Sequence, residues 1–419
     1  MIQLRYKEIL YFCIFMLFIL SMKLWIGWNG MDIIIYSAIL LVLLLLTLSG
    51  KIQLQYSKRS MISLICLYLG ISYIHKSPFG PQNLLMTALY GYILFIKDID
   101  KILCFYHITK WFAYLMVPSL IVYWFVQLHM LSPIGMMTYA FGEDIFFRNP
   151  DYCIRENYIF YMYAPNYYGI RFNGPFVEPG HLGMISAFLL FCNKFDFSKK
   201  HNIINFVALI FSFSLAGYVL AFISYIMIRF YMGLLEPKKM IIYCFSFFLV
   251  MFFSYQLTKD NVLFQELIIN RLEVDDERGF SGNNRTSIEM KEYYDHMWES
   301  EDIGLIISGL DKQDWNDLVE SEGGFTGTGI IVAMVRRGLL GIMAMMLFYI
   351  VFLSYSRDKR FAFMAFVFVF LMFCQRTYPF WFSWIICYAY GITLFEYEKL
   401  VRKKLSIQKQ RKLIWKLVS

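Results

Sequence analysis

The sequence predicts an all-α fold, a polytopic membrane helix bundle of about twelve spans with two large extracytoplasmic loops. Three observations lead there. Of the 419 residues, 59% are hydrophobic and only 17% charged, where a soluble domain carries about 25% charge. Apolar runs approaching the roughly 20 residues needed to cross a bilayer recur along the chain. The connectors between these runs alternate in charge. Such a composition excludes an ordinary soluble enzyme, a disordered chain and a disulfide scaffold. Most of the Cys residues, among them Cys13, Cys66, Cys104, Cys244 and Cys387, lie inside apolar runs and read as small buried hydrophobes.

The runs cover 9–26, 31–49, 60–75, 83–97, 111–131, 177–193, 202–232, 240–257, 330–355, 361–376 and 379–396. The first follows Arg5 and Lys7 without a small-residue cleavage site and reads as a retained helix. Basic connectors occur at Lys51 to Arg59, Lys97 to Lys110, Lys194 to His201, Lys238–Lys239, Arg357 to Arg360 and Lys399 to Lys416. The positive-inside rule places these in the cytoplasm, with both termini, and the remaining connectors outside. Loops 132–177 and 258–327 hold 21 of the 31 acidic residues but 9 of the 39 Lys and Arg. The net charge of +8 is therefore a signature of topology and not of nucleic-acid binding.

Run 202–232 is basic at both ends, so it must cross twice or re-enter. Ser212-Phe-Ser214-Leu-Ala-Gly217 at its midpoint supplies small residues for a protein-buried bend. The chain then divides into N-terminal transmembrane helices (1–131), a first outer loop (132–177), transmembrane helices with a short-armed hairpin (178–257), a large outer loop (258–327), and C-terminal transmembrane helices with a basic tail (328–419). In the large loop, Ile288, Met290, Tyr294, Met297 and Trp298 recur at helical spacing and predict short surface helices.

Three clusters could carry chemistry. The first is Arg171-Phe-Asn-Gly174-Pro-Phe-Val-Glu178-Pro179-Gly180-His181-Leu-Gly183. Arg is a bidentate donor suited to phosphate, Gly174 allows close backbone approach, and Pro179 suits the first turn of a helix that Glu178 would precede. The same residues also fit a plain helix start with a snorkelling Arg. The second is Arg278-Gly-Phe-Ser-Gly282-Asn-Asn-Arg285, where Arg285 follows a Gly/Asn turn or is simply a solvated surface Arg. The third is Ser321-Glu322-Gly323-Gly324-Phe-Thr326-Gly327-Thr328-Gly329, followed by Arg336-Arg337-Gly338. Counting back from Arg357 places both Arg near the outer interface, for headgroup anchoring or lipid-pyrophosphate binding. The His residues are scattered, and no HxxxH, CxxC, P-loop, GxGxxG or GxSxG occurs. No metal site and no cofactor are expected.

Taken in order, these clusters resemble the bacterial O-antigen polymerases (Wzy-type) and the related O-antigen ligases. The resemblance rests on RxxGxxxEPG before a helix (Arg171 to Gly180), a Ser-containing hairpin (Ser212 to Gly217), an Arg-led helical segment in a large loop (Arg285 to Trp298), and a closing helix ending GLLG (Gly327 to Gly341). It covers roughly residues 110–345. Ligases of this superfamily place a His shortly before the closing helix, and Glu322 to Thr328 contains none. That departure disfavours a ligase and leaves the base open between Glu178 and Glu322.

The resemblance implies a membrane glycosyltransferase of the bacterial inner (plasma) membrane. It would join polyprenyl-pyrophosphate-linked repeat units into lipopolysaccharide or capsular polysaccharide, with a flippase and a chain-length regulator as partners. Arg285, Glu322 and Glu178 become the catalytic candidates. Arg171, Gly174, Arg336 and Arg337 become the substrate-binding candidates. Tyr158, Tyr161, Tyr163, Tyr167, Tyr168 and Trp298 are candidates to stack on sugar rings or to form an interfacial belt. The alternatives are a ligase-type glycosyltransferase and a polysaccharide-related transporter, the latter disfavoured by the lack of an internal repeat.

Overall fold

The structure, a computed structural model, describes residues 2–75, 79–139, 153–164, 169–234, 236, 238, 241–242, 245, 249, 274–275, 279–280, 288–300, 302–311, 313–315, 329–376 and 379–418. Helices dominate. The first five are α1 (Ile2–Ser21), α2 (Met31–Leu48), α3 (Lys58–His75), α4 (Pro81–Phe95) and α5 (Asp98–Gln127). Then follow α6 (Pro179–Cys192), α7 (Lys200–Phe211) and α8 (Leu215–Tyr231). The outer segment α9 (Ile288–Glu299) and α10 (Ile303–Ser308) precedes α11 (Gly329–Ser354), α12 (Lys359–Gln375) and α13 (Phe382–Val418).

Local chemistry sets the boundaries. Gly30, at φ 86°, and Asp32 in the first turn start α2, which is rich in Ile and Leu. Pro81 and Pro179 open α4 and α6 at positions where a missing N–H costs nothing. Ser214 caps α8 by accepting from the Gly217 amide at 3.2 Å, and Asp358 caps α12 by accepting from the Phe361 amide at 3.2 Å.

The 202–232 run is indeed two helices, α7 and α8, joined by a bend at Ser212–Ser214. Run 240–257 lies largely outside the described residues. The first outer loop departs from all-α. Its strands β1 (Gly135–Thr138), β2 (Ile154–Asn157) and β3 (Met162–Tyr163) form an antiparallel sheet in that order, with Gly135 opposite Asn157 and Glu156 opposite Tyr163. The four-residue strands are too short to give a clear alternation signal, which is why periodicity missed them. A second two-stranded sheet pairs β4 (Val274–Asp275) with β5 (Gly279–Phe280).

Every residue of α6 is buried, as expected of a helix apolar on all sides. It packs against α7, α8 and α13. Phe188 stacks on Phe368 at 4.5 Å and Phe191 on Phe361 at 5.1 Å, joining α6 to α12. Between α6 and α8 the backbones nearly touch. A Cβ on Gly183 would lie 2.6 Å from Ser214 Cβ, and one on Gly217 would lie 2.9 Å from the Gly183 carbonyl carbon. Small residues at a crossing permit such approach between membrane helices.

The outward faces are apolar. Leu41 and Leu45 of α2, Ile65 and Leu69 of α3, Ile121 of α5 and Phe363 of α12 are all more than half exposed. Apolar surface spread over so many helices is what a bilayer, not water, covers. Met31–Leu48, Asp98–Gln127 and Gly329–Ser354 are long and apolar enough to cross a membrane by length and composition.

The connectors sort into two ends. At one end Lys7 donates to Asp100 at 2.8 Å, Arg59 holds both Glu396 oxygens at 2.9 and 3.0 Å, and Lys399 meets Asp358 at 2.9 Å. Lys194 pairs with Glu398, and Leu54 bridges Ile96. Burial raises the Asp358 carboxyl, but hydrogen bonds from Tyr231, Lys399 and the Phe361 amide outweigh it and hold it below its ordinary value. At the other end Leu24 bridges Phe176, the Trp25 indole donates to the Ile159 carbonyl at 2.7 Å, and Tyr90 and Tyr349 donate to the Phe380 and Pro379 carbonyls. Among the described residues, the first end holds basic connector residues such as Lys7, Arg59, Lys194 and Lys399.

Candidate functional site

The first cluster folds as a buried turn at the second end of the bundle. Its backbone is pinned from both sides: Met162 N donates to the Gly174 carbonyl at 2.9 Å, and Phe172 N to the Phe211 carbonyl at 2.8 Å. Asn173 Nδ2 donates to the Met162 carbonyl at 2.7 Å and also to that of Phe176. Gly174 sits at φ 58°, a conformation that favours glycine. Arg171 is 7% exposed, and its Nε donates to the Ser212 carbonyl at 3.4 Å, so it braces the α7–α8 bend.

Glu178 occupies the N-cap position of α6, yet its side chain makes no capping bond. The carboxylate pairs instead with the Arg376 guanidinium and lies 3.7 Å from His181 Nε2. Both members of the pair have side chains about one-tenth exposed. Arg376 follows α12 and also abuts the third cluster, because a Cβ on Gly329 would overlap the Phe373 carbonyl and lie 2.7 Å from Arg376 N. Arg376 thus joins the first cluster to the third. His181 meets the ring of Trp381 edge-on at 4.7 Å, and Trp381 lines a cavity.

That cavity, of about 560 Å³, lies between α2, α3, α4, α11 and the connector before α13. Arg336 and Arg337 line it, with Lys23, Asp32, Asn83 and Trp381. Ile71, Ile74, Met86, Val332 and Phe382 supply an apolar wall. Lys23 Nζ lies 3.7 Å from Asp32 Oδ2.

The two arginines sit at a break. The sequence predicts an uninterrupted helix over 330–355, but Gly338 is at φ 60°, ψ −168° inside α11. The cause is α10. A Cβ on Gly338 would overlap the Ile307 carbonyl, and Leu310 N donates to the Val335 carbonyl at 2.9 Å. Met290, Leu310 and Val335 form a buried cluster joining α9, α10 and α11, and the Arg336 guanidinium lies 5.3 Å from the centre of the Trp315 ring. Helices α9 and α10 therefore dock on α11 beside the cavity.

Of the expected site residues, Arg336 and Arg337 meet in the cavity, and Glu178 is tied to it through His181 and Trp381. Arg171 and Gly174 belong to the turn and do not line the cavity. Arg285 and Glu322 lie outside the described residues. Tyr161 is fully buried, stacked on Tyr163 at 5.8 Å and Phe172 at 6.1 Å, so it serves the loop's core and not a sugar surface. Tyr158 is buried too and donates to Glu156 at 2.8 Å; burial, that hydrogen bond and the carboxylate's charge push its phenol above the ordinary value. Tyr163 is part-buried, Tyr167 and Tyr168 lie outside the described residues, and Trp298 is 47% exposed. Lys23, Asp32, Arg376 and Trp381 were missed, and His181 stood in the first cluster without a role. Arg376 did carry a signal, as a lone basic residue at a connector that charge alternation places on the outer side. Among the described residues no three His, Cys, Asp or Glu side chains group as a metal site. The chain matches no family model, and no curated protein or solved structure matches it.

Proposed function

We propose that the protein is a polysaccharide polymerase of the bacterial inner (plasma) membrane, joining polyprenyl-pyrophosphate-linked oligosaccharide repeats at the outer face. The bundle has about twelve spans in this reading, with both termini and the basic end in the cytoplasm. The observation that carries the reading is the cavity at the opposite end, where Arg336, Arg337 and Lys23 outnumber the one carboxylate, Asp32, and Ile71, Ile74, Met86, Val332 and Phe382 supply an apolar wall. That pairing of surfaces suits an anionic headgroup on a hydrocarbon tail. The order of the RxxGxxxEPG turn, the Ser-containing hairpin and the GLLG helix supports the reaction class.

In the reaction an acceptor hydroxyl attacks the anomeric carbon of the donor glycan. The glycosidic C–O bond forms, the bond from the anomeric carbon to the pyrophosphate oxygen breaks, and polyprenyl pyrophosphate departs with the electron pair. The leaving group is already a stable anion, so the protein's task is to hold its charge and to position the hydroxyl. Arg336 and Arg337 take the first part. Glu178, held by Arg376, organises the frame. A flippase would deliver the donor, and a chain-length regulator would act on the same product.

The test is the polymer made by cells carrying Arg336→Ala or Arg337→Ala. Each lost charged hydrogen bond costs about 1.5–3 kcal/mol, so long chains should collapse to short ones while the protein stays in the membrane. Lys at either position should rescue poorly, because it lacks the planar fork. A wild-type chain-length distribution in both Ala variants would contradict the assignment.

A further inference from the structure

We infer that Asp32 is the group that takes the proton from the acceptor hydroxyl, with Lys23 as its positioning partner. This rests on the polymerase reading above and adds a residue that the sequence motifs do not contain. Five observations converge on it. Asp32 is a carboxylate lining the cavity that holds Arg336 and Arg337, and it projects from α2, a different wall from the α11 arginines. It occupies the first turn of α2, where the helix N-terminus stabilises negative charge. Its Oδ1 accepts from the Ile33 amide at 2.9 Å, which fixes the side chain. Its Oδ2 lies 3.7 Å from Lys23 Nζ, beyond a direct hydrogen bond, and its side chain is 22% exposed, so a lone pair remains open to the cavity. Glu178, one of the two carboxylates that motif order singled out, is engaged by Arg376.

The placement has a chemical logic. A base and a leaving group must lie on opposite sides of the reacting carbon for a single displacement. With pyrophosphate on the α11 arginines, the acceptor hydroxyl would approach from the α2 wall. The hydroxyl proton passes to the Asp32 carboxylate as its oxygen bonds the anomeric carbon; pyrophosphate leaves with the electron pair of the broken bond; and Asp32 returns the proton to bulk water. Lys23 keeps the carboxylate turned toward the cavity. Carboxylates of this kind contribute on the order of 10²-fold or more as general bases.

The experiment uses full-length protein in proteoliposomes. The substrate is the lipid-linked repeat unit extracted from a host strain deleted for this protein. Geranylgeranyl pyrophosphate serves as the binding probe. Asp32→Asn should lower turnover by ~10²-fold or more while binding the probe as tightly as wild type or tighter, since an anion near the pyrophosphate has gone. Asp32→Glu should recover part of the turnover. Near-normal turnover in Asp32→Asn, with active wild type, would remove Asp32 from the chemistry and leave the polymerase reading standing. Loss of probe binding together with turnover in both variants would assign Asp32 a structural role and overturn the inference. Inactive wild type would overturn the polymerase reading itself, and the base with it.

Discussion

At the scale of single residues, the Glu178–Arg376 pair does the most to fix the site. It links the start of α6 to the end of α12 and seats Arg376 against Gly329. Removing one partner leaves the other charge poorly solvated, at a cost of about 3–5 kcal/mol for a buried pair. Glu178→Gln and Arg376→Ala are each expected to lower thermal stability in detergent markedly, and the double variant to lose clearly less than the two losses added. Additive losses would show that the two residues act independently. Little of this was legible beforehand. Glu178 stands in a motif, but its partner is 198 residues away in a short connector with no pattern around it. Lys23 and Asp32 were hidden for the same reason. Each is one charged residue near a helix end, and only folding brings them into one cavity with Arg336 and Arg337.

At the scale of elements, the helices were largely legible, because apolar runs of bilayer length impose them with little help from tertiary contacts. The α7–α8 bend could be read too, since two basic ends cannot lie on opposite sides of a membrane. The break in α11 could not. Arg336-Arg337-Gly338-Leu-Leu-Gly341 reads as helix until the Ile307 carbonyl of α10 takes the space beside Gly338. An added methyl there would meet that carbonyl and a backbone conformation that costs about 1–3 kcal/mol for a residue other than glycine. Gly338→Ala is expected to release α10 from α11. Amide hydrogen exchange over residues 303–310 should accelerate, and Arg336 and Arg337 should lose their placement in the cavity. Unchanged protection of that segment would mean that α10 docks independently of the break.

At the scale of the whole molecule, the proposed orientation rests on charge. Ion pairs gather the basic connectors at one end, through Lys7–Asp100, Arg59–Glu396, Lys194–Glu398 and Lys399–Asp358. The cavity and the sheet of the first outer loop lie at the other. The positive-inside rule acts on each short connector separately, so the sequence could group connectors by charge. It could not foretell the cavity, which needs walls from helices far apart in the chain. The proposed chemistry also requires the cavity end to face outward, where lipid-linked glycans are assembled into polymer.

That orientation is the central claim, and thiol labelling tests it most directly. Ile303, at the cavity end, is 69% exposed, and Arg360 is exposed at the basic end. Single Cys substitutions at each site would be treated with a membrane-impermeant maleimide on intact cells, or on spheroplasts where an outer membrane is present. Over the wild-type background, Ile303→Cys is expected to label without lysis and Arg360→Cys only after the membrane is opened. Labelling of Arg360→Cys on intact cells, with Ile303→Cys protected until lysis, would place the cavity in the cytoplasm and contradict the proposed function.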